Sequence, residues 1–189
     1  MNTKLKVLLL IFVLASFPKA QRDIAVGPYY GMAMPIVNDA AKSGMMFGIQ
    51  GKVALIPMLS LGLHYSSRSY GNPSIIFHEG QPSELELEID GGNVSAFGAD
   101  LYLGKSGGLP GINFFMMGSF STFKWTRDDY EDVSETAFLF GPGLEIVLPM
   151  KLGIEGRAML EVASTGNDAT YKAGLFFIGI NYHLSLKPM

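Results

Sequence analysis

Cysteine is absent from this 189-residue chain, tryptophan occurs once, and charged residues make up only 16%. Without cysteine there is no disulfide framework, no thiolate metal ligand and no thiol nucleophile. The charged share lies well below the roughly 25% of ordinary soluble domains, too little to coat a water-facing surface. Basic residues are few, 14 against 17 acidic. Phosphate backbones need clustered Lys and Arg, so this balance argues against nucleic acid as a partner. Long apolar runs are missing too: beyond the N-terminus none reaches the roughly 18–20 residues of a membrane helix. What the chain does have is apolar residues, 48% of the total, and 23 glycines. It is too apolar for an ordinary surface and too interrupted for a helical membrane protein. The length allows one domain, or two very small ones.

The N-terminus reads as an address label. Lys4 and Lys6 precede an apolar stretch over 7–15, followed by Ser16, Phe17, Pro18, Lys19 and Ala20, and then by polar Gln21 and Arg22. A basic start, a short apolar middle and a small residue before a polar start are the parts of a secretory signal peptide. The expected division is a signal peptide over 1–20 and a mature domain over 21–189.

The mature chain alternates with a period of two. Over 151–162, Leu152, Ile154, Gly156, Ala158, Leu160 and Val162 share one face, opposite Gly153, Glu155, Arg157, Met159 and Glu161. A strand sends alternate side chains to opposite faces, so this segment has one apolar and one charged surface. Eight such segments are expected, at about 24–35, 43–56, 59–70, 84–103, 111–125, 135–148, 151–162 and 170–184. Gly, Pro, Asn and Asp sit at nearly all the breaks, including tight turns at Pro57-Met58 and Pro149-Met150.

Eight alternating strands, joined mostly by short turns at one end and longer polar loops at the other, predict an all-β, eight-stranded antiparallel up-and-down transmembrane barrel. In hydrocarbon every backbone amide must be paired, and a closed sheet has no unpaired edge. An even strand number puts both termini on one side, with the short turns. The rival all-β reading is an exported soluble lipocalin-like carrier, which would turn its apolar face inward.

The C-terminal strand carries Gly179, Tyr182 and Leu184 in a Gly-x-x-aromatic-x-apolar pattern. This resembles the terminal signal by which bacterial outer-membrane barrels are recognised for assembly. With the signal peptide and the strand count, the mature chain resembles the small eight-stranded family typified by the OmpA transmembrane domain, OmpX and OmpW. The resemblance implies a Gram-negative outer membrane, contacts with its lipid and with the barrel-assembly machinery, a monomer, no cofactor and no enzymatic activity.

Parity places Gln50, Lys52, His64, Arg68, Asp100, Glu145, Glu155, Arg157 and Glu161 in the lumen. A Lys or Arg on the lipid side at mid-depth costs about 2–4 kcal/mol, whereas opposite charges inside a narrow barrel can pair. An internal ion-pair network is therefore expected around Lys52, Glu145, Glu155 and Arg157, plugging an interior just wide enough for its own side chains. A narrow channel or a small-hydrophobe transport barrel is the alternative, because Leu175, Phe177, Phe115 and Met117 make part of the inner face apolar. Tyr70, Trp125 and Tyr171 at outer strand ends, and Tyr102 and Tyr182 near inner ends, are expected as interfacial aromatics.

The outer loops offer weaker signals. One alternation of about 20 residues over 84–103 is twice what a bilayer needs. The third and fourth strands are expected to protrude as a hairpin over 71–92, broken at Gly91-Gly92, where strand addition offers a place for a protein partner. The acidic stretch over 127–132 lacks the spacing of a calcium loop and reads as a solvated run. His64 and Ser66 make a His-x-Ser pair similar to that of the outer-membrane lipid A deacylases, but parity turns both into the lumen, away from a lipid substrate.

Overall fold

The structure is a computed structural model and describes residues 22–36, 42–72, 74–77, 85–88, 91–104, 110–127, 130–165 and 169–186. The signal-peptide segment 1–20 lies outside these residues. Ten strands follow one another: β1 (Arg22–Pro35), β2 (Lys42–Ile56), β3 (Leu59–Gly71), β4 (Ser74–Phe77), β5 (Leu85–Glu88), β6 (Asn93–Gly104), β7 (Gly111–Arg127), β8 (Tyr130–Val147), β9 (Leu152–Thr165) and β10 (Ala169–Leu186). Eight of them close into an antiparallel barrel in the order β1-β10-β9-β8-β7-β6-β3-β2, while β4 and β5 form a separate two-stranded sheet.

The register sets the barrel's dimensions. A path perpendicular to the strands runs from Ala25 through Lys52, Gly62, Asp100, Ser119, Leu139, Glu161 and Ala173, and returns to β1 at Pro35, ten residues above its start. With about 3.3 Å per residue and about 4.8 Å between strands, this stagger tilts the strands by about 40° and gives a backbone radius of about 8 Å. Such a cylinder has room for its own side chains and little else.

Alternation decides what faces where. Outward positions carry large apolar side chains, such as Phe114 at 69% exposed, Ile178 at 66% and Met45 at 65%. Inward positions carry Lys52, Arg68, Asp100, Glu145, Glu155, Arg157 and Glu161, all buried. Among the described side chains, outward charges occur at Lys42, Lys124, Asp132 and Lys172 near the loop ends, and at Lys151 in a turn. The apolar belt between these limits is about 25 Å tall by the same spacing, the height of a bilayer's hydrocarbon. A soluble carrier needs the reverse arrangement.

Two expectations about strand limits are corrected. The segment 84–103 is not one strand: β5 pairs with β4, and β6 starts only at Asn93. Gly92 has φ 78°, a left-handed conformation that ends the alternation. A Cβ on Gly91 would lie 2.3 Å from the Gly71 carbonyl oxygen, so only glycine fits there. The 126–134 link is also shorter than expected. β7 runs to Arg127 and β8 starts at Tyr130, because the ladder continues past the apolar belt through hydroxyl-bearing pairs such as Thr122 with Thr136.

Two Gly-Pro pairs interrupt the wall. Across β1–β10 the register passes from Val26–Tyr182 to Tyr29–Gly179, and across β8–β9 from Phe140–Leu160 to Gly143–Arg157. The skipped rungs hold Gly27-Pro28 and Gly141-Pro142. Proline has no amide hydrogen to give to a ladder. The preceding residue must be glycine, since a Cβ would lie 1.7 Å from the Ile180 oxygen at Gly27 and 2.0 Å from the Ala158 oxygen at Gly141. The register places both prolines at heights that agree within about 1 Å. The β9–β10 pair thus stands between two seams, each missing backbone bonds at mid-height. Amide hydrogen exchange in detergent micelles should be about tenfold faster on β9 and β10 beside these rungs than on β2 and β3 at the same height, as expected for losing one hydrogen bond. Equal protection would show that the seams are as tight as the rest of the wall.

Candidate functional site

The strands deliver polar side chains to the lumen from every side, and their partners are mostly distant in sequence. At the turn end, Lys52 Nζ on β2 donates to Glu145 Oε2 on β8 at 2.7 Å and to Glu155 Oε2 on β9 at 2.9 Å. Arg157 binds Glu155 through Nε, Gln50 Oε1 through Nη2, and Met117 Sδ through Nη1 at 3.0 Å. Asn181 on β10 donates to both Glu145 Oε1 and Glu155 Oε2 at 2.7 Å, and accepts from Gln50 Nε2 at 2.9 Å. Below them, His183 has Asp23 Oδ2 at 2.7 Å from Nδ1 and Glu145 Oε1 at 3.1 Å from Nε2. Each ring nitrogen thus faces a carboxylate oxygen, an arrangement that the two N–H groups of an imidazolium satisfy.

The cations also lie over rings. Lys52 Nζ is 5.6 Å from the Tyr102 ring centre and 5.5 Å from that of Phe115. The Arg157 guanidinium is 5.3 Å from Tyr102 and 4.8 Å from Phe177. Lys52 therefore meets carboxylates and aromatic faces together, and Arg157 meets a carboxylate, the Gln50 amide and aromatic faces. Those contacts offset the several kcal/mol that desolvating an ion costs.

Higher in the lumen, His64 Nδ1 lies 2.8 Å from Asp100 Oδ1, and Tyr102 donates to Asp100 Oδ2 at 3.3 Å. Arg68 Nη1 pairs with Glu161 Oε2. At the loop end three rings cap the column. Trp125 lies 5.6 Å from both Tyr70 and Tyr171, and the Tyr171 hydroxyl donates to that of Tyr70 at 2.9 Å. Trp125 Nε1 donates to the Gly91 carbonyl at 3.0 Å, tying the base of the projecting hairpin to the mouth of the barrel.

This geometry corrects the interfacial-aromatic expectation. Tyr70, Tyr102, Trp125 and Tyr171 are buried in the lumen, and of the five only Tyr182, at 49% exposed, faces outward. Strand parity decides it: Tyr70 shares its face with Arg68, and Trp125 with Phe123. The headgroup preference of Tyr and Trp applies only on the outer face. In the C-terminal pattern, Gly179 faces inward against Pro28 and Tyr29, while Tyr182 and Leu184 face out.

His64 and Ser66 both face the lumen, and the His64 ring is held by Asp100. Asp23, Asn113, Asn181 and His183 are further buried lumen residues. The period-two rule applied to β10 finds two of them, since Asn181 and His183 share a face with Phe177. The acidic stretch 127–132 falls largely outside the described side chains; within it, Asp132 pairs with Lys124.

No family model matches the chain, and no curated protein matches it. Solved structures do. Neisserial surface protein A (NspA) superposes with a TM-score of 0.56 at 12% identity, covering 86% of this chain and 97% of that one. The N-terminal β-barrel domain of Pseudomonas aeruginosa OprF gives 0.49 at 14% identity, over 86% and 98%. The attachment invasion locus protein Ail of Yersinia pestis gives 0.49 at 14%, over 88% and 99%. At this identity the likeness concerns the fold: the chain has the architecture of small eight-stranded outer-membrane barrels.

Removing Arg157 as Arg157→Met leaves Glu155 with one fewer cation in a dry site and should destabilise the barrel by about 3–5 kcal/mol. The exposed Lys124→Ala change should cost under about 1 kcal/mol. Urea unfolding from lipid vesicles compares the two, and equal effects would mean that the lumen charges are hydrated.

Proposed function

We propose that this chain is an outer-membrane barrel, exported by a signal peptide over 1–20, that presents its loop end to the outside. The lumen acts as a plug, and the role is structural and surface-interacting, with the hairpin over 71–92 as the contact element for a protein partner. The observation that carries this reading is the division of charge: among the described residues, an outer belt without ionised side chains surrounds a column of paired ones. Only a lipid exterior rewards that distribution, since each inward charge placed outside at mid-depth costs a few kcal/mol. The likeness to NspA supports the same architecture.

A plug is favoured over a conduit because the cations are committed. Lys52 and Arg157 bridge β2 to β9, and Arg68 joins β3 to β9, so side-chain bonds span the bore at two heights. In planar lipid bilayers the purified chain should give no steady single-channel current, and such currents would overturn the plugged reading. Orientation is tested by thiol labelling, which is clean in a chain without cysteine. In intact cells a membrane-impermeant maleimide should label Ser134→Cys at the loop end, and leave Ile154→Cys in the belt and Met150→Cys in a turn unlabelled. Labelling of Ile154→Cys would remove the membrane reading. Cells expressing the chain without residues 73–90 should keep the barrel and lose attachment to protein-coated surfaces.

A further inference from the structure

Methionine gathers at one place on the outer wall. Met32 on β1 stands directly across from Met45 on β2, and Met34 lies two residues further along β1 on the same face. All three are exposed, at 47%, 65% and 37% respectively. Facing Cβ atoms of an antiparallel pair lie about 5 Å apart and diagonal ones about 7–8 Å, within reach of long side chains. A methionine side chain is unbranched with three rotatable bonds, so the three sulfurs can converge on one point. Met32 and Met45 line one groove of about 810 Å³ on this wall. The Tyr30 hydroxyl donates to Met45 Sδ at 3.0 Å, which holds that sulfur towards β1. A thioether sulfur has two lone pairs, so one remains for a metal. Beside Met34, across the β1–β10 ladder, stands Gly174, where a Cβ would meet nothing nearer than 3.5 Å. The wall is open there.

We infer that Met32, Met34 and Met45 form a binding site for one soft monovalent cation of the Cu(I) class. Thioethers are soft ligands that select Cu(I), whereas hard cations take carboxylate, carbonyl and water oxygens. The surrounding charge sharpens that choice. Among the described side chains of β1, β2 and β10, none that faces outward is acidic, and Lys42 and Lys172 stand at the loop end of β2 and β10. A cation attracted by charge alone is repelled here, and one bonded to sulfur is retained. The other methionines are placed differently. Met46, Met117 and Met159 are buried in the lumen, where Arg157 donates to the Met117 sulfur. Met116 faces out, with Leu103 and Pro142 as its ladder partners. Among the described residues no group of three His, Asp or Glu could hold a metal, so a competing site of that kind is absent there. With the loop end outside the cell, the site meets ions from outside; binding itself requires only the folded wall.

The test uses the full chain, labelled at the methionine methyls and folded in chloride-free detergent micelles, with silver nitrate as a redox-stable probe of the same class. By NMR, Ag⁺ should shift the Met32, Met34 and Met45 methyl signals together along one saturating curve, before Met116 moves. The double variant Met32→Leu/Met45→Leu keeps the size and apolar character of both positions. Read at Met34, it should bind Ag⁺ about tenfold or more weakly, at least the loss that follows removal of a supporting group around a metal. Met116→Leu should bind as the parent does, and zinc nitrate should leave the three signals in place. Movement of Met116 in step with the three, unchanged affinity in the double variant, or an equal response to zinc would overturn the site.

Discussion

The constraint behind the whole structure is that a backbone amide surrounded by hydrocarbon has no water to bond to. A flat sheet cannot meet it, because two edges stay open, so the sheet closes. Closure with eight strands and a ten-residue stagger leaves a bore about as wide as two facing side chains. The interior must then be filled, and alternate positions on every strand are available to fill it. The side-chain composition follows: apolar where the wall meets lipid, and polar where charges can find one another.

Much of this was legible in the sequence, because the two faces of each strand meet opposite solvents. Over 151–162 alternation alone separates Ile154 and Leu160 from Glu155, Arg157 and Glu161. Where the exterior is no longer hydrocarbon, that contrast fades. Thr122, Lys124, Ser134 and Thr136 lie above the belt, so the upper ends of β7 and β8 read as loop although the ladder continues. The aromatics show a different limit. Tyr70, Trp125 and Tyr171 invited an interfacial assignment on residue type, while parity with Arg68, Phe123 and Ala173 turns them inward as a lid. Contacts such as Gln50 with Asn181 join residues 131 apart in sequence, a pairing no local pattern carries.

The lid and the projecting hairpin are mechanically one unit. Trp125 holds Gly91, Gly92 accepts from the Tyr70 amide at 3.0 Å, and Asn72 accepts from the Gly91 amide at 3.0 Å. A small two-stranded ribbon is marginal alone. Rooted on the rings at the mouth, it gains a fixed point of departure from the barrel.

The interrupted seams at Pro28 and Pro142 give the lumen charges a second duty. The bonds from Gln50, Lys52, Asp23 and Glu145 reach Glu155, Arg157, Asn181 and His183, all on the hairpin that stands between those seams. They act as dowels where the joinery of the wall is thinnest. Without that hairpin the dowel holes are open carboxylates and amides that hydrocarbon rejects, so an incomplete cylinder would be held back from the bilayer by its own interior.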